Sequence, residues 1–348
     1  DAGIIQLSDP AGWGREGRLE KTKQDDKHTG VRFEIERSFT SGPFSAVQFG
    51  FAGTNRVKDK TSSVYFAQLR GGASTQTVDN DLIRRSPSLG FAGFPGVLSY
   101  DVNDALSRYY DLIPALDGND LRKDFTVREN IETTYAKLDI DTEIGSTVRL
   151  RGNVGVQLVH TKQSSTGFDI DNNSAAGTLN RGTSYDDVLP SLNLVADFGD
   201  GWMARFGAAK TMARPRIDDM RASASAGVST TTRLWSGNGG NPLLEPWRAD
   251  SVDMSFEKYF GTASYVALAL FYKDLQSYVY SQNIAYDFTG FTNPTTVVPI
   301  SNIGTFSTPA NGKGGYMRGA ELSTSLEGGV ITPMLDGFGV LFNASYTE

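Results

Sequence analysis

A strict alternation of apolar and polar residues is the feature of this sequence that most constrains its fold. Between Ser251 and Phe256, every even-numbered residue is apolar and every odd-numbered residue is polar. Similar alternation recurs at residues 31–36, 47–51, 136–140, 148–158, 191–198, 266–273, 320–326 and 340–346. Because successive side chains of a strand point to opposite faces, the pattern predicts an all-β, antiparallel chain of about ten strands. Each strand is expected to have one apolar face and one polar face.

The connections between these segments alternate between short and long. The short ones are Thr40–Pro43, Gly145–Ser146, Gly199–Gly201 and Gly261–Thr262, with a longer one near Gly328–Gly337. The long ones cover about residues 59–123, 162–184, 214–244 and 276–315. Tight turns at one end of the strands and long loops at the other are typical of an outer-membrane barrel. We therefore predict that residues 1–348 form part of one transmembrane β-barrel domain with long extracellular loops.

Aromatic residues cluster beside the short connections. They are Phe39, Phe44, Phe198, Trp202, Tyr259, Phe260, Tyr265 and Phe338. Because amphipathic rings favour the membrane–water interface, we interpret them as an interfacial girdle. The alternative is that aromatic residues cap these hairpins as they do in any β protein.

The bulk composition excludes several other classes of protein. No stretch approaches the roughly 18 consecutive apolar residues that a membrane-spanning helix needs. The formal net charge is -7 and there is no basic run, so a nucleic-acid partner is not expected. The chain contains no cysteine, which excludes disulfides and cysteine-based metal or redox sites.

Five short phrases resemble those of the TonB-dependent receptor family, in the order and spacing of that family along residues 124–348. They are Tyr185–Leu194 (YDDVLPSLNL), Ala209–Pro215 (AKTMARP), Gly240–Pro246 (GNPLLEP), Phe271–Leu275 (FYKDL) and Arg318–Leu322 (RGAEL). Each phrase falls on or beside a strand inferred from the alternation. The wording is most similar to receptors typical of Caulobacter- and Xanthomonas-like bacteria, many of which import oligosaccharides.

The resemblance implies a receptor in the outer membrane of a Gram-negative bacterium. Such receptors have an N-terminal plug domain that contacts the TonB–ExbB–ExbD complex, followed by a barrel of 22 strands. Neither a plug nor a terminal aromatic residue is recognisable here, so we expect the chain to be a central piece of the barrel. Outer-membrane lipid and lipopolysaccharide are the expected surroundings.

The long loops are the expected place for a solute site, because binding residues concentrate on loops held by a rigid scaffold. Rings that stack on pyranose faces, beside polar groups that bond hydroxyls, fit an oligosaccharide. The candidates are Tyr109, Tyr110, Asp111, Arg233, Trp235, Asn238, Asn241 and Trp247. For Trp235 the alternative is that it pins its own loop, with Leu234 as a neighbour. We interpret Gly240–Pro246 as a structural lead into the next strand.

The polar strand faces are expected to line the barrel lumen and face the plug. Candidates for pairing with plug charges are Arg149, Arg151 and Asn153 on one strand and Glu321 on another. The alternative is plain solvation of the lumen.

No covalent chemistry is expected. The two histidines, His28 and His160, lack metal-ligand spacing, and no catalytic motif or cofactor motif is present. The predicted function is uptake of a scarce solute, with an oligosaccharide as first choice and an iron–siderophore complex as the alternative. Two other classes remain: a self-contained ten-stranded outer-membrane enzyme, and a secreted β-rich binding protein with its apolar faces turned onto a core.

Overall fold

The computed structural model describes residues 5–12, 14–84, 89–93, 96–114, 121–168, 178–261, 263–289, 293 and 297–348. The first nine strands are β1 Gln6–Ser8, β2 Gly17–Ser38, β3 Phe44–Leu69, β4 Thr75–Thr77, β5 Ile83–Arg84, β6 Ser99–Tyr100, β7 Tyr110–Pro114, β8 Phe125–Ile144 and β9 Val148–Phe168. The next are β10 Thr178–Asp197, β11 Trp202–Ala213, β12 Ala224–Val228, β13 Trp235–Gly239, β14 Trp247–Phe260, β15 Ser264–Asp287, β16 Ile303–Lys313, β17 Tyr316–Glu327 and β18 Gly339–Thr347. The helices are α1 Val102–Tyr109 and α2 Gly328–Ile331. None of the helices in these ranges has both the length and the apolar character needed to cross a membrane.

Ten long strands form one antiparallel wall. Their order is β2, β3, β8, β9, β10, β11, β14, β15, β17 and β18. β17 pairs with the first half of β15 and β16 with the second half. The register is continuous between the two, since Asp274 lies opposite Tyr316 and Ser277 lies opposite Lys313. The prediction of about ten antiparallel strands is confirmed.

The alternating apolar residues lie on one face of the wall, which we call the belt face, and they are exposed. Phe256 lies opposite Leu268 and is 48% exposed, and Met254 lies opposite Leu270. The row of Phe256 and Leu268 continues through Leu322 and Ala344, and the same face carries Ile35, Phe49, Ala136 and Val156 on the other strands. An exposed apolar face of this width excludes the secreted β protein with its apolar faces turned onto a core.

The opposite face, which we call the polar face, is crossed by side-chain bonds between neighbouring strands. The Arg149 guanidinium donates two hydrogen bonds to Asp141, at 3.0 and 2.9 Å. The Arg205 Nε donates to Glu257 at 2.8 Å. Each such pair contributes little to the stability of the fold when it is exposed to water. Together the pairs hold charged side chains on the polar face.

The strands continue well into the segments expected as loops. β9 ends only at Phe168, β10 begins at Thr178, and β15 runs to Asp287. On β9 both faces are polar from His160 to Thr166, so the alternation fades there although the backbone pairing continues. The wall therefore extends past the belt at its long-loop end.

A small compact unit, which we call the loop subdomain, is formed by residues 69–84, 89–93 and 96–114 of the connection between β3 and β8, together with residues 5–8. Its core is formed by Leu7, Leu69, Val78, Leu82, Ala105 and Tyr109. The Asp101 side chain caps α1 by accepting a hydrogen bond from the Asp104 amide at 3.0 Å. The Arg108 guanidinium donates to Asp79 at 3.0 Å and to Asp81 at 2.8 Å.

The turn between β10 and β11 provides a matched pair of glycine variants. Gly201 has φ of 76° and a Cβ there would collide with the Tyr259 carbonyl oxygen, whereas a Cβ at Gly199, with φ of 81°, would meet nothing within 4 Å. We expect Gly201→Ala to lower the free energy of unfolding by about 2 kcal/mol and Gly199→Ala by about 1 kcal/mol. Urea unfolding in detergent, followed by circular dichroism, measures both; equal losses would contradict the role of the Tyr259 contact.

The ion pairs of Arg108 predict an acid-sensitive loop subdomain. Hydrogen bonds from Arg108 hold the pKa of the Asp81 carboxyl below its ordinary value of 3.8, and Tyr109 and Arg108 together lower the pKa of Asp79. Because both folded pKa values lie below the unfolded ones, the stabilisation is present above pH 3.8 and is lost as the pH falls through the lowered values. Hydrogen exchange of residues 96–114, corrected for its intrinsic pH dependence, is expected to lose protection in that acid range. Arg108→Gln should remove the effect and Arg37→Gln should leave it; an unchanged profile in Arg108→Gln would contradict the prediction.

Candidate functional site

The first three predicted site residues belong to the loop subdomain, where the two tyrosines are at least partly buried and Asp111 is exposed. Tyr109 is 8% exposed, and its hydroxyl accepts a hydrogen bond from the Asp79 amide at 3.0 Å. Burial raises the pKa of its phenol. Tyr110 packs against the same core, and Asp111 pairs with Arg70 at 3.2 Å. The two tyrosine rings therefore support the subdomain.

Trp235, for which the sequence left ligand binding and loop pinning open, is buried. It is 3% exposed and stacks on Phe288, with ring centroids 5.3 Å apart and planes at 11°. Leu234, the neighbour expected to pack with it, is exposed. Its stacking partner comes from the β15–β16 connection and not from its own loop.

Three further predicted residues hold loops together. Arg233 has φ of 58°, and its Nε donates to the Val298 carbonyl at 3.1 Å. The Asn238 Oδ1 accepts from Arg122 at 2.8 Å, and the Asn241 Nδ2 donates to the Pro309 carbonyl at 3.1 Å. Their polar groups thus join separate loops at the long-loop end of the wall.

Trp247 lies apart from these residues. It is 41% exposed and stacks on Tyr278, with centroids 5.0 Å apart. Tyr278 belongs to the even-numbered row of β15 that also contains Leu268 and Leu270, so both rings lie on the side of the belt face. Trp247 therefore points away from the polar face, and Tyr286, which packs on Phe288, belongs to the same even-numbered row of β15 eight residues beyond Tyr278.

Residues 214–246, which we call the crossing loop, fold onto the polar face at its long-loop end. The Gln163 amide donates to the carbonyls of Pro242 at 3.0 Å and Leu244 at 2.6 Å. The Ala222 amide donates to the Ser165 hydroxyl at 2.8 Å. Its apolar residues bury a cluster against the wall, made of Phe125, Val127, Ile217, Met220 and Leu244.

The crossing loop also reaches the far side of the wall, where β13 pairs in parallel with β16. Ser236 lies opposite Thr305, and Asn238 lies opposite Ser307. The loop is thus fixed both to β8 and β9 and to β16. The structural interpretation of Gly240–Pro246 agrees with its geometry, because Leu244 is fully buried.

Two cavities flank the crossing loop. The first, the external cleft, has a volume of about 240 Å³ and lies where three loops meet. Aromatic, cationic and amide side chains line it, among them Phe168, Tyr286, Phe306, Arg181 and Asn241. Only Asn241 was predicted; the other four lie in segments expected to be loops, where no pattern singled them out.

The second cavity, the cationic pocket, has a volume of about 380 Å³ and lies between the crossing loop and β3 and β8. Its charged lining is Arg56, Lys58, Glu129, Arg214, Arg216 and Asp218. The Lys58 ammonium lies 2.9 Å from Asp218, and the Arg214 Nε lies 3.8 Å from Glu129, which is 3% exposed. Arg216 pairs with no carboxylate in the part of the chain that the structure describes. Arg56 is held by Asp26, outside the lining, at 2.6 Å. Three of the four cations are therefore paired, and Arg216 leaves the pocket with one excess positive charge, which suits it to an anion.

The predicted luminal residues all lie on the polar face, at different heights. Arg149 pairs with Asp141, and the Asn153 Oδ1 accepts from Asn193 at 3.2 Å. Arg151 lies opposite Asp141 in the register of β8 and β9. Glu321 lines a third cavity, of about 490 Å³, together with Arg205 and Asp253.

A histidine–carboxylate pair is the feature nearest to an enzyme site. The His160 Nδ1 lies 2.7 Å from Asp186, and Glu132 lies opposite His160 on the next strand. His160 shares the even-numbered row of β9 with Leu158, so the pair faces the side of the belt rather than a cavity. No group of three or more possible metal ligands occurs within the described ranges.

Comparison with known proteins gives one matching family model, described as "TonB dependent receptor-like, beta-barrel", which covers residues 4–348. Among similar solved structures, the unliganded ferric citrate transporter FecA has a TM-score of 0.46 and 15% sequence identity, and the match covers 95% of this chain and 36% of that chain. An enterobactin-bound mutant of the ferric enterobactin receptor from Pseudomonas aeruginosa has a TM-score of 0.40 and 13% identity, with 99% of this chain and 55% of that chain covered. The siderophore receptor PirA from Acinetobacter baumannii has a TM-score of 0.35 and 11% identity, with 94% of this chain and 53% of that chain covered. The chain thus spans between about a third and just over half the length of these structures. A comparison with curated proteins gives no match. Because the family model covers nearly the whole sequence, the chain belongs to the TonB-dependent receptor-like β-barrel family.

Proposed function

We propose that the chain supplies part of the wall and mouth of an outer-membrane receptor that binds a scarce solute and imports it with energy from TonB. The belt face supports a position in the membrane. On β14 its row runs from Asp250 through Val252, Met254 and Phe256 to Lys258. The two charged ends are about 26 Å apart along the strand. At a strand tilt of about 40° this is about 20 Å across the membrane, close to the apolar band of such barrels.

In this proposal the long-loop end faces outward and the polar face lines the lumen. A plug domain, moved by the TonB–ExbB–ExbD complex, would contact that face at Arg149, Arg151, Asn153 and Glu321. The outward-facing position of the His160–Asp186 pair, away from any cavity, argues against the self-contained enzyme. Assignment to the Caulobacter- and Xanthomonas-like subgroup stays a prediction.

An oligosaccharide is the solute class that the external cleft supports best. The rings of Phe168, Tyr286 and Phe306 offer faces for sugar stacking, and Arg181 and Asn241 offer hydrogen bonds to hydroxyl groups. Of the residues predicted from sequence, Asn241 lines the cleft. Trp235 supports two rings of the cleft indirectly. It stacks on Phe288, and Phe288 packs against both Tyr286 and Phe306.

The cleft is tested with Tyr286→Ala in the full-length receptor. Loss of one stacking ring is expected to weaken oligosaccharide binding about fivefold. Calorimetric titration with a panel of neutral oligosaccharides measures the change. Tyr316→Ala is the matched control, because Tyr316 is also exposed but lies on β17 away from the cleft. Equal affinities in the two variants would contradict an oligosaccharide site in the cleft.

A second candidate solute is an anionic complex such as an iron–siderophore, and the cationic pocket is the observation that favours it. The fold brings Arg56 and Lys58, from the middle of β3, together with Arg214 and Arg216 of the crossing loop. A pocket with this excess of positive charge attracts carboxylates and catecholates.

Arg216→Gln separates this candidate from the first. We expect the variant to bind anionic ferric siderophore complexes about tenfold more weakly, since one charge-assisted hydrogen bond is lost, and to bind neutral oligosaccharides unchanged. Binding to the wild-type receptor should also weaken as salt is raised. Arg128→Gln, at an exposed position on the neighbouring part of β8, is the control. Failure of the wild-type receptor to bind any anionic complex would remove this candidate.

A further inference from the structure

Among the described residues that line the external cleft, Arg181 carries the only charge. It is exposed and lies on β10, opposite Ser165 of β9. In the part of the chain that the structure describes, Arg181 forms no ion pair and its guanidinium donates no hydrogen bond. The described lining of the cleft therefore has one positive charge that no carboxylate of the lining balances.

Two other polar side chains of the cleft are largely occupied by the backbone. The Asn241 Nδ2 donates to the Pro309 carbonyl at 3.1 Å, and its Oδ1 accepts from a backbone amide of its own loop at 3.0 Å. The Thr308 hydroxyl lies 3.4 Å from the Gly240 carbonyl, to which it donates. Because a guanidinium has five N–H donors, Arg181 is the strongest polar group of the cleft that is left for a ligand.

The aromatic part of the cleft is held in place by the crossing loop. The rings of Tyr286 and Phe306 have centroids 5.3 Å apart and planes at 34°. A Cβ at Gly237 or at Gly239 would lie 2.9 Å from an atom of the Phe306 ring, so this ring rests directly on the loop backbone. The volume of about 240 Å³ is below the roughly 300–1,000 Å³ of sites for drug-sized ligands. The cleft is therefore suited to a single sugar ring of a longer chain.

The guanidinium of Arg181 limits which charged group fits beside these rings. Its planar fork offers two parallel N–H donors, which match the two oxygens of a carboxylate, and its single charge balances the single charge of that group. A phosphate or sulfate group has a third terminal oxygen, for which the described lining provides no second cation. A carboxylate bonded directly to a sugar ring therefore fits the cation and the aromatic rings together.

We propose that the external cleft binds an acidic oligosaccharide through a hexuronate residue, whose carboxylate pairs with Arg181 while its pyranose ring packs against Tyr286 and Phe306. The inference rests on the proposed function of the cleft as an oligosaccharide site, and it names the class of oligosaccharide. Arg181 discriminates between acidic and neutral sugars, because only an acidic sugar forms a charge-assisted pair with it. The rings contribute equally to the binding of both.

The experiment compares trigalacturonate with its fully methyl-esterified form, which has the same rings but no charge. In calorimetric titrations of the purified full-length receptor at low salt, we expect the acid to bind about tenfold more tightly than the ester. In Arg181→Gln the two affinities should become nearly equal, because only the acid loses a partner. Unchanged binding of the ester by this variant shows that it is folded. Raising the salt concentration should reduce the preference of the wild type for the acid.

Two further variants separate this inference from the proposed function. Arg216→Gln removes the unpaired arginine of the cationic pocket and should keep the preference for the acid, whereas Tyr286→Ala should weaken acid and ester by the same factor. Equal binding of acid and ester by the wild type, with both weakened in Tyr286→Ala, would overturn the hexuronate inference and leave the oligosaccharide site standing. Unchanged binding of both ligands in Tyr286→Ala would remove the site and the inference together. Loss of the preference in Arg216→Gln instead of Arg181→Gln would move the carboxylate to the cationic pocket and also overturn the inference.

Discussion

Continuous backbone pairing between long antiparallel strands is the constraint on which the rest of this structure depends. Within hydrocarbon, each unpaired amide or carbonyl costs several kcal/mol, so every strand of the wall needs its neighbours in a fixed register. A slip of one residue would exchange the two faces of a strand. On β14 it would turn Asp253 and Glu257 toward lipid and Met254 and Phe256 toward the polar face. The register therefore determines where the belt ends, and with it the position of every site above the belt.

The crossing loop depends on that register in turn. Its contacts with Gln163 and Ser165 require that the odd-numbered row of β9 stay on the polar face for the full length of the strand. Beyond the belt this row no longer faces only water, because the loop covers it, and its polar groups bond the loop backbone instead. The loop thereby separates the external cleft from the cationic pocket, and both sites depend on its position.

The sequence predicts the wall well, because a period of two is a local signal that each strand repeats. It predicts the loops poorly. Trp235 and Phe288 stack although 53 residues separate them, and no periodicity connects the two segments. The candidate residues chosen for their chemistry proved to be split between supporting contacts, as with Tyr109, and exposed positions, as with Trp247. The pairing of His160 with Asp186 depends on the register of β9 and β10, which the alternation in the sequence does not determine.

A β-bulge in the pairing of β14 with β15 determines which side chains lie on each face at the start of β14. The pairing of β14 with β15 shifts between Arg248 and Ala249, where one extra residue of β15 is inserted. Without the shift, Arg248 would share the outward row of Asp250 and Val252. With it, the Arg248 guanidinium reaches Asp187, whose odd-numbered row lies on the polar face, and Trp247 turns outward onto Tyr278. Because the two side chains are adjacent in the chain, one bulge places the cation inside and the indole outside. The stacking of Trp247 on Tyr278 and the ion pair between Arg248 and Asp187 thus have the same structural cause.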